Sequence, residues 1–199
     1  MLKQLSAIAI ALLATQAHAA ANQPFVDIGL GQASLKEFCD EVIFGGTISC
    51  DDKDTFFRVG AGVMLNQTFS AEVSYLNFGE ATYEERAGIR SATASVESQA
   101  VALQIGTYAP IAQSLNVYGK LGIAYADFDV NAVARGPNGV VNLSSSDSEL
   151  EAIVTAGASY NFMPNIGVNV QLDYLPNVGT EDSGEDDITA FSLGLKYQF

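Results

Sequence analysis

Apolar residues alternate with polar or small residues along most of this chain, and this alternation is the feature that most constrains its fold. A period of two is typical of a β-strand whose two faces meet different environments. Turn-forming residues separate one run from the next, so the pattern predicts eight strands. The runs comprise residues 25–31, 57–63, 69–75, 101–106, 120–125, 154–160, 166–174 and 191–199.

The connections between the runs are alternately short and long. The short ones are residues 66–68, 110–114 and 161–165, and the long polar ones are residues 33–54, 79–95, 127–148 and 176–187. An even number of antiparallel strands of about 9–11 residues, with short turns at one end and long loops at the other, is typical of outer-membrane barrels. We therefore expect an all-β, eight-stranded, up-and-down transmembrane barrel with short periplasmic turns and long extracellular loops.

The composition of the two strand faces distinguishes a membrane barrel from a soluble sheet. The face opposite the apolar one is rich in glycine, alanine and serine, and charged residues make up only 16% of the chain. A solvated face would carry more charge, whereas the interior of an eight-stranded barrel has room only for packed side chains. We therefore expect the apolar face to meet lipid. Aromatic residues at strand ends fit the two membrane interfaces: Tyr75, Tyr125, Tyr160, Tyr174, Tyr197 and Phe199.

The chain is strongly acidic, with 23 Asp and Glu against 9 Lys and Arg, a formal net charge of -14. Nucleic-acid binding depends on basic patches that neutralise phosphates. This balance therefore argues against nucleic acid as a partner.

Residues 1–19 have the features of a secretory signal peptide. Lys3 supplies the positive charge, Ile8 to Ala14 form a short apolar core, and Ala17 and Ala19 precede the expected cleavage site. The alternative, a membrane helix, would need roughly 20 apolar residues. We expect residues 20–199 to form the mature barrel domain.

Export has consequences for chemistry. The only histidine, His18, lies in the segment expected to be removed, so histidine-based catalysis and metal ligation are excluded. We expect a non-enzymatic protein without a cofactor. A hydrolase that uses only Asp and Glu, and a narrow channel for small solutes, remain as alternatives.

The only two cysteines are Cys39 and Cys50, in a polar stretch of an exported chain. Disulfides persist outside the cytoplasm, so we expect these residues to form one. A two-cysteine metal site is the alternative.

Six ionisable residues occupy positions that should face the barrel interior: Asp27, Arg58, Glu72, Lys120, Asp173 and Lys196. Three are positive and three negative, which favours a charge-balanced plug because unpaired buried charges are costly. A solute pathway or a gate of switchable ion pairs is the functional alternative. Across the short hairpins and the closing strands, we expect Asp27 to pair with Lys196, and Glu72 with Arg58 or Lys120.

Two of the long loops are acidic. Carboxylates in such numbers can bind Ca²⁺ or Mg²⁺, but neither loop has the EF-hand spacing, so a hydrated surface is the expected role and no metal site is predicted. The residues are Glu37, Asp40, Glu41, Asp51, Asp52, Asp54, Glu181, Asp182, Glu185, Asp186 and Asp187.

The signal peptide, the eight strands and the final strand together resemble the small outer-membrane barrels, in particular the transmembrane domain of outer-membrane protein A. In that family the last strand is recognised by the barrel-assembly machinery, which implies this role for Phe191, Leu193, Leu195, Tyr197 and Phe199. The resemblance also implies residence in the cell outer membrane among its lipids and lipopolysaccharide, with loops free to contact a surface or host ligand. Because the sequence stops at Phe199, we expect no peptidoglycan-binding domain.

Overall fold

A computed structural model describes residues 23–35, 39, 46–137, 139–178 and 186–199. The predicted signal peptide lies outside these residues. The strands are β1 (Gln23–Leu35), β2 (Thr47–Asp51), β3 (Lys53–Met64), β4 (Phe69–Ala87), β5 (Arg90–Pro110), β6 (Leu115–Gly136), β7 (Gly139–Asn161), β8 (Ile166–Val178) and β9 (Asp186–Gln198).

Eight of these strands form a closed antiparallel ring. Each pairs with its neighbour in the chain, β1 pairs with β3, and the last strand, β9, pairs with β1. The short strand β2 lies outside the ring and pairs only with β4 among the described strands. Closure satisfies the backbone groups that an open sheet edge would expose to lipid. The predicted eight-stranded barrel is confirmed.

The pairing register gives the stagger of the ring. Following register partners from Asp27 across β3, β4, β5 and β6 leads to Glu151 in β7. Following them in the opposite direction round the ring, across β9 and β8, leads to Asn161 in β7. The two end points differ by ten residues, which is the stagger of the barrel. An eight-stranded barrel with this stagger has strands tilted by about 40° and an interior that side chains can fill.

The two ends of the barrel differ. Residues 65–68, 111–114 and 162–165 form the short turns at one end, which we call the turn end. At the opposite end, the loop end, β4 and β5 are joined by Gly88 and Ile89 alone, and β6 and β7 by residues 137–138. The prediction of long loops at 79–95 and 127–148 is therefore wrong, since both segments are paired strands. The outward face of these two segments is polar, so apolar and polar residues do not alternate there and the strands were not predicted.

The strand faces are oriented as predicted. Outward aliphatic residues such as Leu30, Ile105 and Leu121 are 61–66% exposed, whereas the inward residues of the same strands are largely buried. Among the described residues, no helix is long and apolar enough to cross a membrane.

Candidate functional site

A cluster of four charged side chains crosses the lumen. Glu72 accepts a hydrogen bond from Arg58 through Oε1 and another from Lys120 through Oε2, each at 2.6 Å. Asp27 Oδ1 lies 3.2 Å from Nη2 of the same arginine, without an aligned hydrogen bond. None of the four is more than 4% exposed. Glu72 is thus the shared anion of two cations, where sequence analysis expected it to have one.

The fifth inward charge, Asp173, is held by neutral groups. Its carboxylate accepts hydrogen bonds from Thr155 Oγ1 at 2.6 Å and from Gln171 Nε2 at 2.8 Å, and Gln104 donates to Thr155 at 2.8 Å. All four side chains are buried. These neutral partners were not predicted, because only ionisable residues were taken as candidates, although the alternation places Gln104, Thr155 and Gln171 on the inward face.

Lys196, the sixth inward charge, forms no ion pair within the described part of the chain. It is the register partner of Asp27, yet that carboxylate contacts Arg58 instead. The Lys196 Nζ lies 3.9 Å from the ring centroid of Phe25 and 4.7 Å from that of Tyr108. The expected Asp27–Lys196 ion pair is therefore not formed, because the long lysine side chain reaches aromatic faces toward the turn end, which attract a cation.

The loop-end half of the lumen is apolar. Phe56 and Phe78 stack with ring centroids 5.3 Å apart, and both are at most 1% exposed. The glycine, alanine and serine of the alternating runs predicted an interior of small residues here. The large apolar residues of this region were not predicted, because they lie outside the runs assigned as strands, as Phe56 does next to the run 57–63. The larger members of this apolar plug are Leu35, Phe56, Leu76, Phe78, Phe128, Ile153, Leu175 and Ile188.

The outward faces of β4 to β7 change from apolar to polar in a single register step. The last apolar residues are register partners across the four strands: Tyr75, Val101, Tyr125 and Leu150. The next outward residues are all polar, and also partners: Asn77, Gln99, Asp127 and Ser148. Hydrogen bonds join Tyr75 to Gln99 at 2.9 Å and Ser148 to Asp127 at 2.7 Å. The lipid surface lies at this step, with Tyr75 and Tyr125 at the interface.

Beyond this step, β4 to β7 continue as an outer sheet, which we define as residues 77–99 and 127–152. Near its tip, Arg86 and Arg135 flank Ser91 on neighbouring strands, because Ser91 is the register partner of both. Both arginines are exposed, as is Arg90 in the same hairpin. The Arg86 guanidinium also lies 3.5 Å from the exposed Glu84 carboxylate of the same strand. The arginines of this tip were not predicted, because only the acidic residues of the loops were taken as candidates.

Most of the predicted acidic loop residues lie outside the described part of the chain, namely Glu37, Asp40, Glu41, Glu181, Asp182 and Glu185, as does the Asp186 side chain. Asp52 accepts a hydrogen bond from Ser34 Oγ at 3.0 Å, and Asp54 accepts one from the Glu80 backbone N–H at 2.8 Å. Asp187 accepts one from the Tyr174 hydroxyl at 2.7 Å. Within the described ranges, no three His, Cys, Asp or Glu residues are grouped as metal ligands.

The predicted disulfide between Cys39 and Cys50 is present, with Cα atoms 5.8 Å apart. Cys50 belongs to β2 and is the register partner of Tyr83 in β4. The disulfide therefore attaches residue 39 to the outer sheet rather than to the transmembrane part of the barrel.

The predicted assembly residues of β9 and the C-terminus face outward: Phe191, Leu193, Leu195, Tyr197 and Phe199 are 43–65% exposed. The rings of Tyr197 and Phe199 meet edge to face at 4.9 Å. Their recognition by the barrel-assembly machinery stays a prediction.

A closed eight-stranded barrel with an apolar outer belt and a filled lumen is a transmembrane barrel of the outer membrane. The chain belongs to the outer membrane protein beta-barrel domain family, whose profile matches residues 5–199. Its location is therefore the cell outer membrane.

Known relatives agree with this assignment. Outer membrane protein A of Yersinia pseudotuberculosis is 26% identical over 207 residues, which cover 100% of this chain and 56% of that protein. OprG from Pseudomonas aeruginosa has the same fold, with a TM-score of 0.58, 14% identity and coverage of 89% and 96%. Ail of Yersinia pestis, solved with the heparin analogue sucrose octasulfate, has a TM-score of 0.54, 17% identity and coverage of 89% and 99%.

Proposed function

We propose that this protein is a non-enzymatic barrel with a plugged lumen, whose outer sheet binds ligands at the cell surface. The observation that carries the proposal is the filling of the lumen at two levels, by the Arg58–Glu72–Lys120 cluster and by the apolar plug. A lumen filled in this way leaves the projecting sheet as the part of the molecule best suited to contact a partner.

The length of the outer sheet supports a role in contact. In β5, residues 90–99 lie beyond the lipid surface, and ten extended residues span about 30 Å. On the β7 side, residues 139–150 pair with β6 and have no register partner in β8, whose pairing with β7 begins at Val154. The described structure therefore offers an unpaired strand edge, whose backbone groups can bind an extended segment of a partner.

The charge distribution favours an anionic ligand at the tip. Arg86 and Arg135 lie on the same face of a chain with a formal net charge of -14. The acidic loops repel anionic groups such as the phosphates of lipopolysaccharide. An anionic ligand is therefore expected to bind at the tip rather than elsewhere on the extracellular surface. Sucrose octasulfate, the ligand in the Ail structure, is a polyanion of the kind that two such guanidinium groups would bind.

Binding of cells that display the protein to heparin-coated beads tests the surface role. We expect the double variant Arg86→Gln with Arg135→Gln to bind several-fold fewer beads than the unmodified protein. Lys53→Gln, which removes an exposed positive charge away from the tip, is the matched control and should retain binding. Equal losses in the two variants, or no binding by the unmodified protein, would contradict a basic contact site at the tip.

Single-channel recording in planar bilayers tests the plug. We expect the unmodified protein to conduct poorly, because a solute must displace both the ion cluster and the apolar plug. A large and steady conductance would instead support the narrow-channel alternative.

A further inference from the structure

A polar cavity of about 470 Å³ lies at the turn end of the barrel. Its walls come from the β3–β4 turn, the first residue of β1, and the turn-end parts of β3, β5, β6, β7 and β9. Its volume falls within the range of pockets that hold small molecules, roughly 300–1,000 Å³. Because the short turns are periplasmic in this barrel topology, the cavity faces the periplasm.

One ammonium group distinguishes the lining of this cavity. Lys196 is the only cation among the described lining residues, and no described carboxylate lines the cavity. Most of the other groups are neutral hydrogen-bonding side chains, including Gln23, Asn116 and Ser159. Tyr108, Met64 and Leu65 add apolar surface. The cavity is therefore locally positive in a strongly acidic protein.

The Lys196 ammonium has contacts with ring faces but with no described anion. Phe25 and Tyr108 attract its charge, yet ring faces do not replace the oxygen acceptors that an ammonium group binds. The nearby carboxylates are already engaged, Asp27 by Arg58, and Glu72 by Arg58 and Lys120. The three N–H donors of Lys196 are thus available to a ligand in the cavity.

We propose that the turn-end cavity is a binding site for a small organic anion, whose carboxylate or phosphate oxygen accepts hydrogen bonds from Lys196 Nζ. The amide and hydroxyl side chains of the wall bind polar groups of the same ligand, and Tyr108, Met64 and Leu65 pack against its carbon atoms. The oxyanion comes either from a soluble periplasmic compound or from a phospholipid headgroup of the inner leaflet. This site is independent of the outer sheet and of its proposed surface ligand.

Nuclear magnetic resonance of the full chain, labelled at lysine and tyrosine and folded in neutral detergent micelles, tests the site without a mutation. Sodium acetate and sodium phosphate are titrated at constant ionic strength against sodium chloride. We expect the Lys196 signal to shift saturably with acetate or phosphate and not with chloride, while the Lys53 signal stays constant. A Lys196 signal that does not saturate, or that responds equally to chloride, would overturn the proposal for soluble anions.

The lipid source is tested in nanodiscs prepared with and without phosphatidylglycerol. A Lys196 shift that appears only with phosphatidylglycerol would support the site with a headgroup as its ligand. Lys196→Met should reduce the affinity at least tenfold in whichever arm binds, as judged from the Tyr108 signals, and Lys53→Met should leave it unchanged. Binding that survives Lys196→Met, or the absence of a shift in both the micelle and the nanodisc arms, would overturn the proposal.

Discussion

Asp27 and Lys196 lie directly opposite each other where the first and last strands close the barrel, but they do not form an ion pair. The Asp27 carboxylate is 3.2 Å from Arg58 Nη2, and the Lys196 ammonium is 3.9 Å from the centre of the Phe25 ring. The strand register places the backbones of the two residues side by side. The long side chains of Arg58 and Lys196 then determine which groups meet, since Arg58 reaches Asp27 and Lys196 reaches Phe25. The lumen therefore contains an ion cluster centred on Glu72 and a separate cation near the periplasmic cavity.

This arrangement predicts a ranking of coupling energies. Glu72→Gln should destabilise the barrel by about 3–5 kcal/mol, because it leaves two buried cations without their shared carboxylate. In double-mutant cycles, Glu72→Gln with Lys120→Met should have a larger coupling energy than Asp27→Asn with Lys196→Met. Urea unfolding in lipid vesicles measures both cycles. Equal coupling energies, or the reverse order, would contradict the contacts described for the lumen.

The apolar plug predicts different stability effects for substitutions at two adjacent phenylalanines. Phe56 is fully buried in the lumen, whereas Phe57 is 38% exposed on the lipid-facing side. Phe56→Ala should cost about 3–5 kcal/mol, because it leaves a cavity beside Phe78 that the closed barrel cannot collapse to fill. Phe57→Ala is the matched control and should cost clearly less, since lipid chains can occupy the space. Similar losses of unfolding free energy would contradict the assignment of Phe56 to the lumen.

The strand number, the orientation of the faces and the closing register were predictable, because a strand with one lipid-facing side must alternate apolar with polar or small residues. Asp27 and Lys196 were correctly expected at the same height for this reason. The interior contacts were less predictable, because they depend on the stagger, which brings Lys120 of β6 to Glu72 of β4. The outer sheet was missed because residues 79–95 and 127–148 meet water on their outward face, so no apolar period remained.

Close strand contacts in the lumen predict different effects for two glycines of β6. A Cβ atom on Gly122 would clash with the Leu103 carbonyl oxygen, so the backbone of β5 or β6 would have to move, whereas a Cβ atom on Gly119 would have the Thr155 carbonyl oxygen as its nearest neighbour, at 3.8 Å. We expect Gly122→Ala to lower the free energy of unfolding and Gly119→Ala to have little effect. Heat-modifiable gel migration together with urea unfolding compares them. Equal tolerance of both substitutions would show that the strands separate more easily than this geometry implies.

The disulfide should stabilise the first extracellular loop and not the barrel. Cys39 and Cys50 close a short loop, for which the chain-entropy contribution is about 3 kcal/mol. Reduction should leave heat-modifiable gel migration intact, because every strand pair of the ring lies outside the disulfide loop. Trypsin should then cut faster at Lys36 and Lys53, which flank the disulfide, while cleavage at Arg90 in the β4–β5 hairpin supplies an internal reference. The double variant Cys39→Ser with Cys50→Ser should behave as the reduced protein does. Loss of the folded gel band on reduction, or an equal acceleration of cleavage at Arg90, would mean that the disulfide supports the outer sheet and barrel as a whole.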